Sequence, residues 1–327
     1  MKRQFTRFDR ATGFTLLEMV VALVLGLILM SGVIQLLINS NNAFRMQNNM
    51  TNMQENGQFA AQYLANDIRN ADYWGCLNTT NWITNNLNGA AASTYYNFAN
   101  AVAGTANQST GGSIVAGTDT ITLSGSWPAS GNNDVIIPYG TTTSSPVAVT
   151  ATSSIASGTI VLVSDCLAGD IFQVTNDVAG VLSHASGAGS PGNATAVLSK
   201  IYTLGSFVYL PYTRMYSIQT DANGVPGLFL TTASGAQELI DNIEDLFILY
   251  GEDTDGNGSP DRYVAANQVT NMGHVLAVRL SFVARSAEDN IVTTPQTYIL
   301  NGQTITPTDN RLRRVYTETI SIRNRLQ

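Results

Sequence analysis

Only two cysteines, Cys76 and Cys166, and two histidines, His184 and His274, occur in 327 residues. Their spacing leaves no zinc-type ligand cluster and no Cys-His or Ser-His-Asp arrangement, and the contexts SHAS and GHVL put no nucleophile beside either imidazole. Charge is also scarce. Charged residues make up 12% of the chain and the formal net charge is -7, which excludes an extended basic face for DNA or RNA. Proline is missing before Pro128, so none interrupts a long helix at the start. The letters GAGSPG, residues 187–192, satisfy a dinucleotide-loop pattern, but Pro191 and the lack of a strand before and a helix after make this an ordinary loop. The expectation is a protein that is not an enzyme and requires no cofactor.

What is present begins at the N-terminus. Lys2, Arg3, Arg7 and Arg10 precede an apolar run from Phe14 to Ile38 in which Glu18 is the only charge, and the next basic residue is Arg45. The run is long enough to span a bilayer and too long for the core of a cleaved secretory signal. The basic tail places the start in the cytoplasm and the remainder outside it. A carboxylate inside such a run is costly. Snorkelling to the interface is one account of Glu18, and pairing with a buried cation is another.

From Asn39 to Ala71 glycine appears once, at Gly57. Phe59, Ala60, Tyr63, Leu64, Ile68 and Ala71 recur at spacings of three and four, which predicts an amphipathic continuation of the helix over 39–72, packed on a sheet. Past DYWGC the texture changes. Residues 73–200 carry only Asp119, Asp134, Asp165, Asp170, Asp177 and Lys200 as charges, and DTITLSG, DVIIPY, GTIVLVS and IFQVT are short β-branched runs between turn residues. After residue 200 the predicted strands lengthen, and alternation in LAVRLSF and YTETISI predicts sheets with one wet face. QELIDNIEDLFILYG reads as a short turn or helix running into a strand, and Glu244 with Asp245 as a solvated acidic face.

The junction ATG–FTLLEMVVAL resembles the class III signal of type IV prepilins. The resemblance implies cleavage by a prepilin peptidase between Gly13 and Phe14, N-methylation of Phe14, and a role for Glu18 in neutralising a Phe14 α-ammonium when helices pack into a filament. More widely, ENGQFAAQYLANDIRNADYWGC, ELIDNIEDLFILYG, VRLSFVARS and RRVYTETISIRNR are similar to the PilW family of type IV minor pilins, with the likeness weakest over about 78–200.

The implied fold is α+β and pilin-like. It comprises a cytoplasmic leader at 1–13, a transmembrane or filament-core helix at 14–38, its amphipathic continuation at 39–72, and a β-rich periplasmic head at 73–327. The implied function is initiation and assembly of a type IV pilus in a priming or tip complex. Expected partners are other minor pilins, the major pilin, a tip adhesin, the inner-membrane platform protein and the prepilin peptidase, with no nucleic acid. A type II secretion pseudopilin of the J class and an anchored calcium-dependent adhesive ectodomain are the alternatives.

Two cysteines in an exported head predict a Cys76–Cys166 disulfide, with two buried thiols as the other reading. In EDTDGNGSPDRY, Asp253, Asp255, Asn257 and Asp261 fall at positions 1, 3, 5 and 9 of a calcium loop. Gly258 stands at position 6 and the Ser259 carbonyl at position 7. Val264 replaces the bidentate glutamate of position 12 and no helices flank the loop, so the same residues also read as a plain hairpin turn.

Overall fold

The computed structural model describes residues 13, 15–107, 113–129, 134–137, 142–150, 155–187 and 189–326, with backbone alone for 134–137. A single helix runs from Leu16 to Asn70, and the chain divides into two compact units, Met1–Thr51 and Asn52–Gln327. In the first unit every large apolar side chain of the helix from Leu16 to Ile38 is exposed.

In the second unit the helix residues 52–70 bury one face. Met53, Gly57, Ala60, Leu64 and Ile68 follow one another at the helical period, and Ala71 continues the stripe. The expected stripe is corrected at two positions, because Phe59 and Tyr63 are 54% and 51% exposed. At about 100° per residue they lie on the flank of the face that Ala60 and Leu64 centre. Gly57 has a packing reason: a Cβ there would lie 2.3 Å from the ring of Tyr316, which stacks on Phe282 at 5.2 Å between centroids. The helix ends where Asp72 turns to a positive φ of 62° and the Asn324 amide donates to the carbonyls of Asn70 and Ala71.

Two main sheets pack in this unit. The smaller is antiparallel in the order Arg262–Val264, Ile243–Glu252, Val275–Arg285, Arg313–Ser321. The larger is organised around the long strand Phe207–Thr220, which pairs with Thr120–Pro128, Pro226–Thr232, Ile160–Ser164 and Asp134–Ile137. Helix and sheets share one core that includes Leu64, Ile68, Ile121, Tyr216, Leu246, Leu280 and Phe282. Two smaller cores are built mainly from the 73–200 region with the start of the long strand, one around Phe172 and Val208 and one around Trp74 and Leu162.

Two expectations about strands change. Val275–Arg285 is central and is buried at every position except Arg279 and Arg285, so LAVRLSF lacks a wet face, whereas YTETISI keeps its alternation on the outer strand. QELIDNIEDLFILYG holds no helix. Gly235–Asp241 is captured by pairing with Pro226–Thr232, and Asn242, at φ 57°, turns the chain into Ile243–Glu252 of the other sheet. Asparagine tolerates that left-handed corner better than a branched residue does.

Cys76 and Cys166 form a disulfide across 90 residues, with Cα atoms 4.9 Å apart. It joins the segment after the helix to the loop between Ile160–Ser164 and Gly169–Gln173.

Candidate functional site

The N-terminal turn of the helix is where sequence chemistry concentrates. Thr15 opens it: its Oγ1 accepts the Glu18 N–H at 3.3 Å and its carbonyl accepts the Met19 N–H at 3.1 Å. A β-hydroxyl placed just ahead of a helix answers one of the amides that have no intrahelical partner. Glu18 sits in the first turn, where the helix dipole favours negative charge, and its carboxylate is exposed with no partner among the described residues. Gly13 is exposed with open space around its Cα. Phe14, the other half of the expected cleavage site and the expected methylated residue, lies outside the described residues, as does the rest of the leader at 1–12. The helix is long and apolar enough to cross a membrane.

The acidic loop is a hairpin turn between Ile243–Glu252 and Arg262–Val264, with Glu252 opposite Arg262. Asp253 organises it. One carboxylate oxygen accepts the Gly256 and Asn257 N–H groups at 2.7 and 3.2 Å, and the other accepts the Gly258 N–H at 2.9 Å. Those N–H groups hold the Asp253 carboxyl below its ordinary range. Asp261 accepts both the N–H and the hydroxyl of Thr254 at 2.7 Å, with the same consequence. Gly256 and Gly258, at φ 76° and 83°, supply the left-handed positions the turn needs.

The fold therefore brings oxygens of Asp253, Asp255 and Asp261 within 4.8 Å of one another. Asn257 directs its amide oxygen to the Ser259 N–H at 2.9 Å and its amide nitrogen to Asp255, so its oxygen serves the turn. The three carboxylates fit a hard cation in donor type, and the ligand number supplied by side chains is low.

Several interactions escaped sequence reasoning. Asp67 lies on the buried face of the helix, where it accepts Arg214 Nη1 at 2.7 and 2.8 Å and the Tyr216 hydroxyl. An acid between Leu64, Ala65 and Ile68 was the available signal. Burial works against the Arg214 cation, but Asp67 outweighs it and holds the guanidinium above its ordinary value. Glu252, 1% exposed, accepts the Thr270 and Asn271 N–H groups and pairs with Arg262. The acidic pair at 244–245 is not a solvated face. Glu244 meets Arg313 at 2.5 Å, while burial, helped by Glu244 and Asp119, pushes Asp245 up to about 6. His184 is buried with Nε2 3.0 Å from the Ser145 carbonyl, a structural placement.

Residues 215–324 match the family model of the type IV pilus-assembly protein W, PilW, and residues 9–34 match the prokaryotic N-terminal methylation motif. Together the two matches support a type IV pilus-related minor pilin. The PilW match takes in the four-stranded sheet, the acidic hairpin and nearly all of the C-terminal segment that caps the helix end, whereas 78–200 lies outside it. The PilW family is a structural component of pilus assembly, and the methylation motif ties this chain to a prepilin peptidase and to other pilus components. No curated protein and no solved structure matches the chain.

Proposed function

We propose that this PilW-type pilin is a single-pass protein of the bacterial inner membrane, with a cytoplasmic leader and a periplasmic head, that enters a minor-pilin priming or tip complex. The observation that carries this reading is the helix surface from Leu16 to Ile38. It is apolar and exposed along its whole length, and Glu18 is its only charge. Lipid satisfies such a surface before assembly and neighbouring pilin helices satisfy it afterwards.

Cleavage after Gly13 would leave the Phe14 α-ammonium at the helix start. In a low-dielectric helix bundle, pairing with Glu18 turns a costly buried carboxylate into a register mark. The partners are the other minor pilins, the major pilin, a tip adhesin and the platform protein. Gly13→Val is expected to accumulate as the longer precursor on an immunoblot, whereas Glu18→Ala is expected to be trimmed normally and to lose surface pili in a deletion background. Normal trimming of Gly13→Val removes the prepilin reading. Intact piliation but failed protein secretion in the deletion strain favours the J-class pseudopilin.

A second reading rests on the acidic hairpin, where three carboxylates converge. It proposes weak calcium binding that stiffens the turn. Calcium at about 5 mM then raises the melting temperature of the full chain relative to chelator, through linkage to the folded state. Asp255→Ala is expected to abolish the shift. Equal melting of wild type with calcium and with chelator leaves a turn and nothing more.

A further inference from the structure

A cleft of about 600 Å³ opens where the helix ends, between its last two turns, the strand end Ser126–Pro128, the long strand at Tyr212 and Arg214, and the C-terminal residues Arg323 and Asn324. All of it lies within the second compact unit. Its wall is an aromatic stack: the rings of Trp127 and Tyr212 lie 4.6 Å apart at 16° to one another, and Trp127 remains 41% exposed. Strand pairing sets Gly125 opposite Tyr212, and a Cβ at Gly125 would come within 2.9 Å of the phenol oxygen, so the missing side chain lets that ring lie flat.

The Arg214 guanidinium is 5.2 Å from the Trp127 ring and 5.1 Å from the Tyr212 ring. Those distances and the stacking distance make a nearly equilateral triangle. The guanidinium therefore stands beside the stack, and the outer face of the Trp127 ring is left uncovered by it.

The polar groups at the rim have a definite pattern. Arg214 is committed to Asp67, whereas the guanidinium of exposed Arg323 has no hydrogen-bond or ion-pair partner among the described residues. Asn70 and Asn324 use their amide nitrogens on the protein, at 3.2 Å to Asn66 and 2.8 Å to Ala71, and their amide oxygens accept nothing from the described residues. The hydroxyl of exposed Tyr73 also has no hydrogen-bond partner among the described residues.

We propose that this cleft binds a saccharide, with one sugar face stacked on Trp127, hydroxyls answering the oxygens of Asn70 and Asn324, and a carboxylate-bearing sugar favoured through Arg323. A small-molecule site is usually a concave surface with an apolar wall and a few converging polar groups, which describes this cleft. Competing occupants fit worse. A cationic side chain finds the cation position beside the stack already taken by Arg214 and meets the unpaired Arg323 at the rim. A purely apolar side chain from another protein would desolvate the free amide oxygens and the Tyr73 hydroxyl without replacing their hydrogen bonds. A sugar supplies an apolar C–H face and donors together.

The test uses the purified full chain in a detergent without a sugar headgroup, observed by saturation-transfer NMR against lactose and 3′-sialyllactose. Saturable binding of 3′-sialyllactose is expected, with lactose weaker. Trp127→Ala is expected to lose at least about tenfold in affinity for both, as truncation of an aromatic anchor does. Arg323→Ala should remove the preference for the acidic sugar, and raised salt should mimic that variant. Trp82→Ala, at an exposed tryptophan outside the cleft, should bind like wild type.

Melting curves of the variants separate lost binding from lost folding. No saturable signal with either sugar at about 10 mM, or equal affinity of a folded Trp127→Ala, overturns the proposal. If folded Trp127→Ala binds both sugars normally yet fails to assemble pili, the cleft is a pilin contact and the saccharide reading is wrong. Because binding is read on the isolated protein, a failure here leaves the pilus reading standing, and a failure there does not touch this one.

Discussion

The framework built from the helix end, the long strand and the C-terminal strands handles buried charge differently from the 73–200 region. In the framework most of these acids meet guanidinium groups, Asp67 with Arg214, Glu252 with Arg262, Glu244 and Asp309 with Arg313, Asp72 with Arg325, whereas buried Asp253 at the hairpin is held by backbone N–H groups. In the 73–200 region the buried acids are held by neutral donors. Asp170, fully buried, accepts from Asn86, from the N–H and hydroxyl of Ser199, and from Tyr202. Asp119 accepts the N–H groups of Asn107 and Ile248. Among the described residues Asp165 with Lys200 is that region's ion pair, and it sits at the disulfide loop.

The lesson is that a region with few charges can still place a carboxylate at the centre of its core, provided the surrounding amides and hydroxyls converge on it. The PilW match falls on the side that uses ion pairs. The 73–200 region, outside the match, relies mainly on turns, neutral donors and a covalent link.

The sharpest test of this difference sets two buried acids against each other. Asp67→Ala leaves Arg214 without its counter-charge and is expected to cost about 4 kcal/mol, as breaking one side of a buried pair does. Asp170→Ala strands only neutral donors and is expected to cost about 2 kcal/mol. Chemical denaturation of the full chain in detergent measures both, and equal losses would dissolve the distinction.

Next in size is the link. Cys76→Ser is expected to lower stability by about 3 kcal/mol, because the bond closes a long loop in the unfolded chain. Proteolysis should then nick the 73–200 region before the four-stranded sheet. Simultaneous loss of both regions would show that they unfold as one.

The smallest expected effect concerns Asp245, which lacks a guanidinium of its own. Burial raises its folded pKa from 3.8 to about 6, so the fold prefers the protonated acid. Below the lower value the group is neutral in both states and costs nothing. Through the window between the two values the penalty grows, and above about 6 it is constant. Asp245→Asn should therefore stabilise the head by about 1–2 kcal/mol at pH 7 and by almost nothing at about pH 4. A gain that persists at the lower pH would mean the benefit is not electrostatic.

Much of this was readable in order along the chain because it depends on local pattern. The basic tail, the apolar run, Glu18 and the proline-free continuation predict a long helix, and Leu16–Asn70 is one helix. Cysteine count and an exported setting predict the Cys76–Cys166 bond, and the structure contains it. The alternation of aspartates predicts a tight loop at 253–261, and the carboxylates converge there. Each of these follows from composition, period or spacing over a short stretch.

Other features depend on which strands become neighbours, and periodicity carries no such information. Gly57 makes sense only once Tyr316 lies against the helix, and Gly125 only once Tyr212 pairs across from it. Asp67, alone on an apolar face, finds its cation on a strand far along the chain. Glu244 and Asp245 look like a solvated pair until the strands at 275–285 and 313–321 bring arginines to one and burial to the other.

The sequence by itself determined that this protein has a membrane-length prepilin helix and a β-rich, weakly charged head, and it put a Cys76–Cys166 bond ahead of two buried thiols. The tertiary structure alone decided that Phe59 and Tyr63 fall outside the covered face of the helix, which acids are paired and which merely solvated by amides, and that Trp127, Tyr212, Asn70 and Arg323 share one cleft. The physical reason is range. Helix propensity, membrane partition and turn chemistry act over a few residues, whereas a salt bridge or a ring stack joins positions that only the packed sheet brings within contact distance.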